Sequence, residues 1–208
     1  MFKKSIDLSK FEAMYNQFGD GHGLGHISKV RNLAVKLAKK YLPNKIKLAY
    51  VAATLHDIGL VNGRENHEIT GSKMVLESKE LHKFLSDEEI QEIAYAIREH
   101  RASTGKPKTI LAKIISDSDK ASDSSTEAMK RAIEYGKVNM PELNETEQIW
   151  RAAKHLTEKF GVGGSGRRTY FPESEQALEK TYKPIFKAVK KSDHKSLVEI
   201  IQVRKTSN

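Results

Sequence analysis

Leu48-Ala-Tyr-Val-Ala-Ala-Thr-Leu-His-Asp57 is an almost unbroken apolar run that closes on an imidazole and a carboxylate side by side. Ile46, Ala49, Ala53 and His56 fall on one helical stripe, so the segment reads as a buried helix with His56 at its inward end. Burying both polar groups costs free energy unless each finds a partner, and a divalent cation partners both at once.

Working outward from this run, the same arrangement recurs. His26 heads an apolar face continued by Val30, Leu33, Leu37 and Tyr41. His67 shares a face with Thr70, Gly71 and Met74, where the glycine permits close helix approach. His100 ends the stripe Ile90, Ile93, Ile97, and Asp119 continues Leu111 and Ile115. A lone histidine at the end of an apolar face is ordinarily satisfied by a backbone carbonyl. Five such sites plus Asp57 point instead to one shared centre, because each left unsatisfied costs about 1–3 kcal/mol. Asp117 stands two positions before Asp119, and on a helix the two point about 160° apart. Asp119 aligns with Ile115 and is read as the ligand, Asp117 as a capping or supporting group.

Composition bounds the rest. The chain has 208 residues, enough for one good core with a small appended lobe. It has no cysteine, so a metal must be held by nitrogen and oxygen. No stretch approaches the roughly 20 apolar residues of a membrane helix, and Met1-Phe-Lys-Lys-Ser-Ile-Asp7 lacks the apolar run of a signal peptide. A cytoplasmic location is expected. The net charge of +9 is uneven: from Arg151 onward Lys+Arg outnumber Asp+Glu by 13 to 6, against 23 to 21 before it. This favours anionic partners. Nucleic acid is disfavoured, because aromatics are sparse beside the basic residues and Arg167-Arg168 is the only adjacent arginine pair.

The periodicity is helical throughout and no alternating run survives, so the fold class is all-α. Helices are expected over 7–18, 26–41, from an Asn44 N-cap to near Asp57, over 67–78, 86–101 and 109–121. Further helices are expected near 124–136, 142–160 and 173–203, the last bent at Pro184. Ser86-Asp-Glu-Glu89 has the form of a capping box. Gly19 to Gly25 reads as a glycine-rich loop and Gly161-Val-Gly-Gly-Ser-Gly166 as a mobile one. His82, His155 and His194, among charged neighbours, read as surface.

His26, His56-Asp57 and Asp119, the last at the end of Ile114-Ile-Ser-Asp-Ser-Asp-Lys120, together resemble the H…HD…D signature of the HD-domain metal-dependent phosphohydrolase superfamily. The resemblance covers roughly residues 20–125. It includes Gly21-His-Gly-Leu-Gly-His-Ile-Ser-Lys-Val30, with a basic residue three positions after the first ligand. His67-Glu-Ile-Thr-Gly-Ser72 and Glu99-His100-Arg101 are similar to the extra histidine motifs of branches that hold two metals. The resemblance implies a compact helical bundle over 1–125 with a C-terminal helical extension over 126–208 packed on it. It implies a first metal site of His26, His56, Asp57 and Asp119, with Asp57 bridging to a second that adds His67 and His100. The chain departs from the common pattern at Glu68 and Ser72, where alanine is usual, and it lacks the glycine-tyrosine-proline extension of the cyclic-dinucleotide branch.

Mixed imidazole and carboxylate ligation suits manganese, iron, cobalt or nickel over magnesium. The expected activity is hydrolysis of a phosphoester or pyrophosphate bond of a small phosphorylated substrate, a nucleotide, by a metal-activated water. The alternative is a catalytically silent regulatory module that binds nucleotide. Asp57 would ligate and steer the water, and Glu65 would act as general acid or base. Lys29, one turn from His26, would receive a phosphate. Arg64, Arg101, Arg167 and Arg168 are further anion-binding candidates, and His22 would contact substrate or support a ligand.

Overall fold

The computed structural model describes residues 6–18 and 22–202. The expectations for segment 1–5, for the start of the glycine loop at 19–21 and for residue 203 fall outside them. Among the described residues every regular element is helical and there is no strand, as the periodicity indicates. The chain divides into two compact units, 1–122 and 123–208.

The first unit opens with α1 (Ser9–Met14), which tightens into a 3-10 turn, Tyr15–Gln17, within the expected 7–18. It continues with α2 (Leu24–Tyr41), α3 (Ile46–Leu55), α4 (His67–Leu76), α5 (Asp87–Arg98) and α6 (Ile110–Ala121). α3 is its axis: Leu48, Ala49, Val51, Ala52, Ala53, Thr54 and Leu55 are all buried, and α2, α5 and α6 pack on it. Three alanines keep that helix narrow enough for neighbours on several sides. α4 packs on α5 and on a 3-10 turn, Ile58–Asn62, which directly follows His56-Asp57.

The local signals differ in how they play out. Ser86 accepts from the Glu89 amide while Glu89 accepts from the Ser86 amide, completing the expected capping box on α5. Thr109 caps α6 through the Ala112 amide. Asn44 does not cap α3: Pro43–Lys45 forms a 3-10 turn, and Lys45 stands at the cap position with no side-chain hydrogen bond. Proline at the head of that turn presets the tight geometry and moves the helix start past Asn44. On α2 the buried face runs through His26, Ile27, Val30, Ala34, Leu37 and Ala38, slightly rotated from the expected stripe.

The second unit holds α7 (Ser125–Asn139), α8 (Glu145–Phe160), α9 (Pro172–Lys190) and α10 (His194–Gln202). Capping boxes at Ser124/Glu127 and Asn144/Glu147 start α7 and α8. Phe160 and Tyr182 stack with centroids 4.1 Å apart, beside Leu156, Leu178 and Ile185 in the unit's core. The last expected helix is two helices. α9 runs through Pro184, and the break falls at Lys191–Asp193, where Ser192 adopts φ 52° and Asp193 caps the Ser196 amide. The glycine stretch 161–166 is a hydrogen-bonded turn rather than an open loop. The Gly161 and Gly166 amides donate to Thr157 and Lys159 carbonyls at 2.8 Å each, and a Cβ at Gly164 would overlap the Lys159 carbonyl oxygen. Glycine is needed there to let the chain fold back on the end of α8. His194 is also half-buried rather than surface, its ring stacked on Trp150, whereas His82 and His155 are exposed.

Among the described residues no helix is long and apolar enough to cross a membrane.

Candidate metal centre

The helix ends of the first unit converge on one spot. His26 lies in the first turn of α2, His56-Asp57 directly follow α3, His67 is the first residue of α4, His100 follows α5, and Asp119 lies near the end of α6. The imidazoles form a continuous chain of ring contacts: His26–His56 at 5.5 Å, His56–His100 at 5.3 Å and His100–His67 at 5.3 Å between centroids. His22, in the turn before α2, stands 6.0 Å from His26.

Asp57 divides this cluster with its two oxygens. Oδ1 lies 3.2 Å from Nε2 of His67 and 3.5 Å from Nε2 of His100. Oδ2 lies 3.4 Å from Nε2 of His56 and 3.1 Å from Nδ1 of His22. Asp119 Oδ1 lies 3.3 Å from Nε2 of His26 and 3.6 Å from Nε2 of His56. Three of the rings are oriented by the carbonyl three residues back: Nδ1 of His56 donates to Ala53 at 2.8 Å, that of His67 to Arg64 at 3.0 Å and that of His100 to Ile97 at 2.6 Å. Each carbonyl takes the Nδ1 proton, so Nε2 is the nitrogen that faces the carboxylates. Metal-binding histidines are oriented in this way.

The electrostatics call for positive charge. Burial disfavours charge on His56, yet the carboxylates of Asp57 and Asp119 outweigh it and hold its pKa well above the ordinary histidine value. Burial works equally against ionised Asp57 and Asp119. The imidazoles of His56, His100 and His22 around the first, and of His26 and His56 around the second, bring both carboxyls well below the ordinary range. His67 is raised in spite of its burial, chiefly by Asp57.

A divalent cation fits this donor set. Nε2 of His56 is wholly buried without a hydrogen-bond partner, and it could coordinate a cation there. Donor atoms of His26, His56 and Asp119 lie within 4.8 Å of one another, as do those of Asp57, His67 and His100, and those of His22, His26 and Asp57. The cluster reaches solvent at His22 and Asp119, whose side chains are 29% and 25% exposed, so a substrate can approach from that side.

Two glycines set the spacing. A Cβ on Gly59 would overlap the His67 carbonyl oxygen and sit 2.6 Å from the Gly71 amide nitrogen. This contact brings α4 down on the turn after Asp57. Asn66 enters α4 with φ 52°, a conformation asparagine tolerates better than most residues, and so turns His67 inward.

The other expected residues separate. Nε2 of His22 accepts from Nη1 of Arg64 at 3.0 Å, linking Arg64 to the centre through His22 and Asp57. Lys29 is half-buried one turn along α2 from His26. Glu65 is exposed and makes no polar contact among the described residues, so the structure does not bring it to the cluster. Arg101 is held by Glu68. Arg167 and Arg168 belong to the second unit, with the Arg168 guanidinium 5.5 Å from the Tyr170 ring centroid. Asp117 is fully buried and pairs with Lys120 at 3.2 Å, a supporting contact within α6.

Tyr15, which no motif singles out, is completely buried next to Asp57. Burial and that carboxylate hold its phenol well above the ordinary range. Buried Glu68 gave no signal in the sequence beyond its departure from the usual alanine.

Residues 23–123 match the HD domain family. Over 96 residues the chain is 36% identical to a ribonuclease Y from Lawsonia intracellularis (strain PHE/MN1-00), which covers 46% of this chain and 17% of that protein. No solved structure matches the chain. His26, His56, Asp57, His67, His100 and Asp119 all fall within the matched residues; His22, Arg167 and Arg168 fall outside.

Proposed function

We propose, from the match of residues 23–123 to the HD domain family, that the protein is a metal-dependent phosphohydrolase that cleaves a phosphoester or pyrophosphate bond of a nucleotide by an activated water. The carrying observation is the division of Asp57. One oxygen faces His67 and His100, the other faces His56, and in each of these rings Nδ1 donates to a carbonyl, so that Nε2 is the nitrogen turned to Asp57.

His26, His56, Asp119 and Oδ2 of Asp57 are the residues to hold one divalent ion; Oδ1 of Asp57, His67 and His100 are those to hold a second. Their mixed nitrogen and oxygen character suits manganese, iron, cobalt or nickel over magnesium. Such an ion supplies the charge that makes a water nucleophilic near neutral pH and offsets charge building on phosphoryl oxygens. The protein's own part is to hold and orient. Asp57 fixes the two donor sets at one spacing, and the α3 core excludes water from the back of the cluster. At the solvent edge Arg64, tied to His22, and Lys29 on α2 receive substrate phosphate.

The test is release of phosphate or pyrophosphate from a nucleotide panel by purified protein with manganese or cobalt. The similarity to a ribonuclease places an RNA oligonucleotide in the same panel. Turnover that Asp57→Ala abolishes supports the reading. Nucleotide binding without turnover identifies the silent regulatory module instead, and an Asp57→Ala variant of wild-type activity overturns the mechanism.

A further inference from the structure

Glu68 follows His67 in the chain and Arg101 follows His100, and these two neighbours meet. Nη1 of Arg101 lies 3.4 Å from Oε2 and 3.5 Å from Oε1 of Glu68. Oε2 of Glu68 also lies 3.5 Å from Nδ1 of His67, behind the nitrogen that donates to the Arg64 carbonyl. Glu68 is buried, at 5% exposure, while the Arg101 side chain is 36% exposed. A carboxylate so far from water needs a cation, and among the described residues Arg101 supplies the one guanidinium or ammonium group that reaches it.

The contacts close a circuit. Asp57 Oδ1 meets His67 and His100, His67 leads to Glu68, Glu68 meets Arg101, and Arg101 leads back to His100. We propose that the Glu68–Arg101 pair is a positioning device for a second divalent ion. It ties the first turn of α4 to the segment after α5, so that His67 and His100 both aim Nε2 at one oxygen of Asp57. The Glu68 carboxylate, 3.5 Å from Nδ1 of His67, lies beside a ring whose Nδ1 proton goes to the Arg64 carbonyl. Neither residue touches the ion; both act through the histidines they adjoin.

The inference rests on the metal centre proposed above, and Mn2+ alone is the probe that separates the two. The 208-residue chain, stripped of metal, is titrated with Mn2+ by calorimetry and by electron paramagnetic resonance, alongside Glu68→Gln, Arg101→Ala and Arg101→Lys. Circular dichroism and thermal melting establish that each variant folds. The expected wild type takes up two ions, and the second produces a spin-coupled signal. In Glu68→Gln and Arg101→Ala the second ion binds about 10–100-fold more weakly. The coupled signal is lost, the first ion's affinity is unchanged, and Arg101→Lys retains the second ion. Two ions bound with wild-type affinity in both neutralised variants overturns the brace while leaving the centre standing. Equal weakening of both ions also overturns it, since the pair would then support the fold at large. A wild type that takes one ion removes the second position and the brace with it, and one that takes none overturns the centre itself.

Discussion

Gly59 and Gly71 meet backbone to backbone, the amide nitrogen of Gly59 standing 3.2 Å from where a Cβ on Gly71 would lie. The contact joins the turn that follows Asp57 to the helix that begins with His67, and so sets the separation of two candidate ligands. A methyl group at Gly59 has no room, because it meets main-chain atoms of His67 and Gly71 rather than a side chain that could swing away. Gly59→Ala is therefore expected to destabilise the fold by about 1–3 kcal/mol, the usual cost of overpacking. It should also weaken Mn2+ binding. Urea denaturation and a metal titration check both, and wild-type values in the two would mean that α4 is not held by this contact.

Asp117 and Asp119 should fail in different ways. Asp119 faces His26 and His56, so Asp119→Ala is expected to lose metal affinity, together with the stability its carboxylate gives the metal-stripped protein above about pH 4. Asp117 is fully buried against Lys120, so Asp117→Ala removes an interior ion pair and is expected to destabilise the fold by about 1–3 kcal/mol while the metal affinity of the cluster is kept. Metal content by elemental analysis and stability by denaturation check both, and metal lost by Asp117→Ala or kept by Asp119→Ala would contradict the assignment.

The pH dependence of stability follows from the same cluster. His56 and His67 are raised on folding, so their contribution is complete below the ordinary histidine value of about 6.5 and lost as pH rises through the folded values. Asp57 and Asp119 are lowered, so theirs is complete above roughly pH 4 and lost as pH falls through the folded values. Metal-stripped protein is thus expected to be most stable between about pH 4 and 6.5. Mn2+ takes the place of the histidine protons, so the stabilisation it confers should grow as pH rises. Melting temperatures measured with chelator and with Mn2+ from acid to alkaline pH test this. A chelated protein equally stable on both sides of neutrality would contradict it.

Much of the centre was legible because each polar residue terminates an apolar stripe. Ile90, Ile93 and Ile97 fix which way α5 faces, and His100, continuing the stripe, has to follow them inward. The same logic separated Asp119 from Asp117, since 3.6 residues per turn cannot aim both at one point. Periodicity tells which face turns inward but not what lies opposite. Glu68 stands one position after His67, and its burial depends on Arg101 arriving from another helix. Tyr15 reads as an ordinary core aromatic until Asp57 is found beside it. Turn chemistry misled at two points: Pro43 set a 3-10 turn that displaced the Asn44 cap, and the last helical stretch breaks at Ser192, where no glycine or proline marks a stop. Glu65 looked suited to proton transfer by its place between two ligand motifs, yet it lies in a turn facing solvent.

The central claim is that six side chains from five helix ends share divalent cations. Anomalous diffraction at the manganese edge, from crystals grown with Mn2+, tests it most directly. The account predicts a peak within roughly 2.0–2.3 Å of Nε2 of His26, Nε2 of His56 and carboxylate oxygens of Asp57 and Asp119, with a second peak between Asp57, His67 and His100. Strong anomalous density elsewhere on the molecule, with none among these residues, would contradict it.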